Sequence, residues 1–372
     1  MKDEDRSPPS CRNPKSFHTG FEDKLEPLAP LNLKECTTFE ELLGQMKKTA
    51  FAGRRLGESL DVFYAMITDP DCFVVLTISG AMTVAKMGLV VCDMIENNMV
   101  NCIVSTGALM AHGLVEATGL THFKYDPRMS DETLYEYGYD RVYDTLELES
   151  NLNDLEHYIQ KALESWNARE HLCSYKLLST IGKMLKDDFP KNRAIVKSAY
   201  EKDVRIYVPA FTDCELGLDL GIHNRLRILQ KSEPITYNPF LDLDHYTDQI
   251  ISAKRIGIIT IGGGVPRNWA QQVGPYLDIM SHRSRGHLNV PMRRFHYGIR
   301  ICPEPVHWGG LSGCTYSEGV SWGKFVPPDE GGQFSEVLID ATVAWPILIR
   351  AAMDRIQRTG ATLTRAKCFI GG

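Results

Sequence analysis

Lys324 ends the run Glu318-Gly-Val-Ser-Trp-Gly-Lys324, in which a tryptophan and two glycines precede a lysine and a carboxylate stands at the far end. A lysine that attacks an imine carbon must keep part of its amine unprotonated at neutral pH. An apolar wall with a positioned carboxylate achieves this. Trp322 is the candidate wall and Glu318 the candidate carboxylate. Taken alone, the heptapeptide also fits an ordinary solvated lysine, so the rest of the chain has to decide.

Further chemistry-bearing residues follow runs that read as buried strands. Ser79-Gly80-Ala81-Met82-Thr83 follows Phe73 to Ile78, Ser105-Thr106-Gly107-Ala108 follows Cys102 to Val104, and Pro209-Ala-Phe-Thr-Asp213 follows Arg205 to Val208. Gly262-Gly263-Gly264-Val-Pro266 follows Ile256 to Ile261, and Asp340-Ala341 follows Glu336 to Ile339. Small residues at a helix start leave N–H groups free for a phosphate, and carboxylates at the same edge suit ribose hydroxyls. Singly, each is a tight turn or an N-cap. Together, at one edge of one predicted sheet, they point to a dinucleotide. The Gly-x-Gly-x-x-Gly fingerprint is absent, so such a ligand requires another loop arrangement.

The elements that must position these residues alternate. Helices are predicted near residues 82–95, 110–117, 216–230, 268–280 and 341–356, each after a strand, and Phe295 to Ile301 is one more strand. This pattern specifies an α/β fold, a mostly parallel sheet with helices on both faces and a Rossmann-like dinucleotide-binding edge. Thr38 with Glu41 forms a capping-box pattern for the first helix, a second spans about 56–66, and residues 151–200 read as a helical layer. Residues 1–34 are polar and proline-bearing and read as an extension; residues 35–372 contain no linker and read as a single domain.

Composition narrows the classes. The chain has 372 residues, 43% hydrophobic and 24% charged, as in ordinary globular proteins. A formal charge of −6 lacks the basic footprint of a nucleic-acid binder. No apolar run is long enough for a bilayer and no signal-peptide core follows the first residues, so a cytoplasmic location away from membranes is expected. The ten cysteines include no Cys-x-x-Cys pair, and no metal is expected.

On these motifs the chain resembles the deoxyhypusine synthase family. The matching segments also include Thr49-Ala-Phe-Ala-Gly-Arg-Arg-Leu-Gly57, Asn98-Met-Val-Asn-Cys-Ile-Val-Ser-Thr106 and Ile259-Thr-Ile-Gly-Gly-Gly-Val265, in order from about residue 36 to 356. The resemblance implies a homotetramer with active sites at a subunit interface. It implies that NAD takes a hydride from the carbon beside a secondary amine of spermidine, and that the aminobutyl group passes through a lysine imine to an acceptor amine. That acceptor is a lysine of the hypusine-carrying translation factor or, in homospermidine-forming relatives, putrescine. By the same resemblance, Lys324 is the covalent lysine, Trp322 lies against the substrate chain and Glu318 belongs to the amine site. Thr106, Gly107, Ala108, Asp213, Gly263, Asp340 and Ala341 fall on NAD-contacting positions. Gly80, Ala81 and Met82 match less closely, because the family usually has Ser-Asn there.

The departures concern the amine. Ala111-His112 stand where the family has two adjacent glutamates, Leu218 replaces an aspartate, Asn268 replaces a histidine assigned to proton transfer, and Trp308 through Leu311 lack the usual acidic residues. Desolvating a polycation without carboxylates is costly. The expected donor is therefore an amine with fewer charges, or one with a carboxylate that a nearby arginine clamps. His112, His307 and Trp308 are candidates for new contacts, with His112 suited to proton transfer if it faces the pocket. The alternative is a non-catalytic or regulatory paralogue that assembles with an active subunit.

Overall fold

The aliphatic and β-branched runs form the six strands of one sheet in the computed structural model, which describes residue 12 and residues 14–285, 287, 288 and 290–366. These strands are β1 (Cys72–Ile78), β2 (Cys102–Ser105), β6 (Arg205–Tyr207), β7 (Arg255–Ile261), β8 (Phe295–Ile301) and β9 (Gln333–Val337), while β3 to β5 form a small separate sheet. All neighbours in the main sheet are parallel, in the order β6-β2-β1-β7-β8-β9. The chain builds outward from β1 on one side, then returns to build from β7 on the other. Such a reversal opens a crevice beyond the carboxyl ends of the two central strands.

Both sheet faces are covered, which is why the strands read as continuous apolar runs. Along β1, Val74, Leu76 and Ile78 enter one core, and Phe73 and Val75 enter the other. The first core is closed by α2 (Phe51–Thr68), α4 (Gly107–Ala117) and α14 (Ala341–Thr359) among others. The second is closed by α10 (Phe240–Ser252), α11 (Gly264–Gln271) and α12 (Val273–Arg283), with Phe325 and Tyr316.

The capping box is formed: Thr38 accepts from the Glu41 amide and Glu41 reaches back, starting α1 (Phe39–Met46). Before it, the described residues include no α-helix or strand, and Ala29 and Asn32 donate backbone N–H groups to Lys48 and Gln45 beside α1. The helical layer after residue 150 comprises α6 (Glu149–Glu164), α7 (Ser174–Asp188) and α8 (Ile195–Glu201).

Several boundaries differ from expectation. The helix expected from Met82 is α3 (Gly88–Glu96); residues 80–87 form turns, with Lys86 at φ +64°. The long helix expected after the triple glycine is two helices meeting at Gln272. The last strand lies at Gln333–Val337, ahead of the expected Glu336 to Ile339. The sequence reading assigned nothing to α10, nor to the sheet of β3 (Phe123–Lys124), β4 (Tyr139–Val142) and β5 (Thr145–Leu148) with α5 (Asp131–Tyr137). Those strands are too short and too polar to show a periodic pattern. Among the described residues no helix is long and apolar enough to cross a membrane.

Gly57 shows how tightly the N-terminal helices close on the sheet. A Cβ there would overlap the Lys47 amide nitrogen and the Leu43 carbonyl, both backbone atoms of the α1 end. Gly57→Ala is therefore expected to destabilise the fold by about 1–3 kcal/mol, as overpacking does. Chemical denaturation of the two proteins measures it, and an unchanged midpoint would show that α1 can move aside freely.

Candidate active site

The crevice begins where β1 and β7 end side by side, with Ile78 in register with Ile261. Ser79 donates its N–H to the Ile261 carbonyl, and its Oγ accepts from the Gly263 N–H at 2.8 Å. Gly262 leaves the strand at φ +77°, a left-handed conformation that glycine adopts freely. At Gly263 space is the constraint, because a Cβ would lie 2.5 Å from the Ser312 Cα. These close approaches press the loop after β8 onto the start of α11.

That loop and α11 wall a cavity of about 350 Å³, lined by Arg267, Asn268 and Gln271 on one side and by Gly310, Cys314, Glu318, Trp322 and Lys324 on the other. Lys324 is positioned by the short helix α13 (Tyr316–Ser321), whose N-cap Thr315 accepts from the Glu318 amide. Gly323, at φ +69°, turns the chain back, so that the Lys324 N–H donates to the Gly319 carbonyl. The Lys324 carbonyl then accepts from the N–H of Phe295, the first residue of β8. The lysine main chain is thus anchored at the start of β8, and only its side chain extends to α11.

Lys324 is 7% exposed, and its Nζ donates to Asn268 Oδ1 at 3.2 Å. Burial pushes its pKa below the ordinary lysine value; Arg267 adds to this, whereas Cys314 and Glu318 oppose it. The solvated-lysine reading of the heptapeptide is thereby excluded. Trp322 is less of a wall than expected, being 62% exposed, although its ring centroid lies 5.7 Å from Lys324 Nζ. Glu318 is exposed and lines the cavity, but the amine's hydrogen bond goes to Asn268.

The expected cofactor residues stand at strand ends outside the cavity lining. Gly80 and Ala81 are exposed and Met82 is half-buried, in the turns after β1. Thr106 is the N-cap of α4 without a side-chain cap bond, which leaves the first N–H groups of Ala108 and its neighbours for a ligand. Gly107 is required there because a Cβ would overlap Cys214 at the head of α9 (Glu215–Leu229). Asp213 is exposed after β6, and Asp340 caps α14 by accepting from the Thr342 N–H, with Ala341 buried behind it. With the glycine cradle at Gly262 and Gly263, these residues fit a dinucleotide laid along the carboxyl edge.

His112 does not face the cavity of its own chain, contrary to the expectation that allowed it to replace the missing histidine. It sits on α4 and turns to buried Glu147, whose Oε2 is 3.3 Å from its Nδ1. Burial lowers its pKa, but Glu147 together with the charges of Glu215 and Asp140 more than offsets this and leaves it raised. His122 Nε2 lies 2.5 Å from the same oxygen, so His112, His122 and Glu147 place metal-ligand atoms within 4.8 Å of one another, a cluster the sequence reading missed. Lys86 Nζ lies 2.9 Å from His122 Nδ1. An ammonium there makes Nδ1 the acceptor and puts the ring proton on Nε2, which suits a contact to Glu147 and not a metal. His307 and Trp308 are exposed and meet edge to face outside the cavity lining. Arg267, Gln271 and Cys314 were not anticipated. Their one legible signal is the spacing of 267 and 271, one turn apart on a helix that starts at the triple glycine.

The fold and site define a doubly wound α/β protein with a dehydrated lysine in a cavity beside a nucleotide-type switch point. Comparison with known proteins takes this further. The deoxyhypusine synthase family model matches residues 41–352. A relative named "Probable deoxyhypusine synthase 2" from Methanosarcina acetivorans is 34% identical over 330 residues, covering 88% of this chain and 90% of its own. A "Deoxyhypusine synthase-like protein" from Elusimicrobium minutum is 29% identical, covering 92% and 87% respectively. A crystal structure from Entamoeba histolytica, of a protein assigned as a deoxyhypusine synthase, superposes with a TM-score of 0.56 at 14% identity, covering 91% of this chain and all of that one, which speaks to the fold alone. The chain belongs to the deoxyhypusine synthase family.

Because Asn268 is the hydrogen-bond partner of Lys324, its charge sets how readily the amine deprotonates. In the native chain the reactive fraction of Lys324 grows as pH rises through a midpoint below that of surface lysines. Asn268→Asp places an anion beside the ammonium and is expected to raise this midpoint by about 1–3 pH units. Amine-specific labelling against pH, read on the Lys324 peptide by mass spectrometry, measures it; identical profiles would remove Asn268 from the control of the lysine.

Proposed function

We propose that this protein is an NAD-dependent aminoalkyl transferase in which Lys324 carries the transferred group as an imine. The observation that supports this most directly is the buried Lys324, with its lowered pKa and its amine held by Asn268. An amine kept dry and partly neutral is a nucleophile for an iminium carbon. Family membership supplies the reaction class.

Gly80, Ala81, Met82, Thr106, Gly107, Ala108, Asp213, Gly263, Asp340 and Ala341 would hold the cofactor along the carboxyl edge. NAD held there would supply reversible hydride transfer at the carbon beside the donor nitrogen. Lys324 Nζ adds to the oxidised carbon, the donor's other amine leaves with a proton, and a C=N bond to Lys324 remains. Asn268 orients the lysine by accepting one of its N–H groups, and Glu318 at the mouth pairs with the cationic end of the donor. An acceptor amine, either a protein lysine or a small amine, then displaces Lys324. Residues 35–372 act as one catalytic unit in a cytoplasmic homotetramer.

The donor is not the family's usual polyamine. Among the described residues that line the cavity, Glu318 is the sole carboxylate, and it shares the space with Arg267 and Lys324. One anion does not compensate the desolvation of a di- or trication.

Trapping tests the reading. Full-length protein with NAD, a panel of amines and borohydride is expected to give a mass increment on the Lys324 peptide, absent in Lys324→Arg. The increment identifies the transferred group. Cofactor binding without any adduct across the panel would favour a non-catalytic paralogue.

A further inference from the structure

One helical face of α11 is rich in hydrogen-bond donors that lack acceptors. Arg267 and Gln271 line the cavity and are 1% and 2% exposed. Among the described residues, Arg267 Nε and Nη2 and Gln271 Nε2 are buried and find no hydrogen-bond partner. Arg267 Nη1 reaches only the carbonyls of Leu311 and Ser312, at 3.5 and 3.4 Å, and the guanidinium lies over the Tyr316 ring at 5.6 Å. A guanidinium cannot accept a hydrogen bond, so what these atoms lack is an acceptor. Leaving a buried cation without one is costly.

Nearby carboxylates do not serve. Glu336 is engaged by Arg300 Nη2 at 2.7 Å and by the Tyr316 N–H at 2.7 Å, and Glu318 stands exposed at the cavity mouth. The cavity therefore has a cationic, donor-rich floor, one anion at the mouth and a nucleophilic amine alongside. A simple polyamine meets repulsion at that floor, whereas a molecule carrying both an amine and a carboxylate matches both ends. Arg267 forms bidentate pairs with carboxylates, and Gln271 supplies a further N–H.

We propose that the donor is an amine bearing a carboxylate, of the diamino-acid or carboxyalkyl-polyamine class, with the carboxylate on Arg267 and Gln271 and the amine toward Glu318 and Lys324. This rests on the aminoalkyl-transfer reading above. The carboxylate replaces the long contacts of Arg267 to Leu311 and Ser312 and takes no part in bond changes. With the two-electron oxidation and its later reversal supplied by bound NAD, as that reading requires, Lys324 would form the C=N bond as the donor C–N bond breaks, and the acceptor amine would displace Lys324 before the new C–N bond is reduced. An anion of the same chemistry could also come from a cofactor phosphate, and the experiment separates the two sources.

Full-length protein with NAD is trapped by borohydride with matched donors that differ only in the carboxylate, and adducts on Lys324 are quantified. Binding of the same donors without NAD, and of NAD alone, is measured by calorimetry. Native protein is expected to prefer the carboxylated member by about tenfold or more in both donor assays, as for a charge-assisted pair. Arg267→Gln and, more mildly, Gln271→Leu are expected to abolish that preference while NAD affinity stays unchanged. Arg267→Lys guards against a folding defect and should keep part of it. Equal labelling and binding of matched donors overturns the inference but leaves the transferase reading intact. Weakened NAD binding in Arg267→Gln with donor preference unchanged assigns the anion to the cofactor and also overturns it. If no donor labels Lys324, the transferase reading fails, and calorimetry without NAD still decides whether the floor selects a carboxylate.

Discussion

The site depends on a backbone contact that leaves no room for a side chain. Gly263 meets the Ser312 main chain so closely that a Cβ would lie 2.5 Å from its Cα, and the Gly263 N–H is fixed on Ser79 Oγ. This seam joins the ends of β1 and β7 to the loop after β8. It sets that loop against the start of α11, where Gly310 and Leu311 line the cavity opposite Asn268 and Arg267. A buried threonine pair, Thr77 on Thr260 at 3.0 Å, ties the same two strands just below the seam.

Electrostatics follow from that geometry. Burial of Lys324 lowers its pKa, and burial likewise makes an unpaired charge beside it costly. Arg267 adds to the lowering of the lysine's pKa but is itself buried with donors to spare. One side chain therefore links the nucleophile to the choice of donor, which is the physical basis for expecting a substrate of mixed charge.

Much of the architecture was legible because its signals are local. The continuous apolar runs of β1 and β7, the capping box at Thr38 and Glu41 and the glycines at strand ends each report on a few neighbouring residues. The small sheet of β3 to β5 was not legible, since its short polar strands are stabilised by pairing and not by pattern. His112 shows a different limit. Its position after β2 suggested a place in the pocket, but its direction is set by Glu147, which arrives from β5 after an intervening helix and hairpin. Asn268 was legible only as a substitution; that its Oδ1 receives the lysine depends on where α11 meets Lys324.

The sequence by itself determined the α/β class and the family and singled out Lys324 as the candidate nucleophile, because these rest on residue types in fixed order along the chain. The tertiary structure alone decided that Trp322 is largely exposed, that Asn268 and not Glu318 receives the Lys324 hydrogen bond, and that Arg267 and Gln271, which line the cavity, keep buried donors unsatisfied. Burial and partner choice depend on which distant segments pack together, as the Ser312 loop does against Gly263 and the Lys324 segment does against α11.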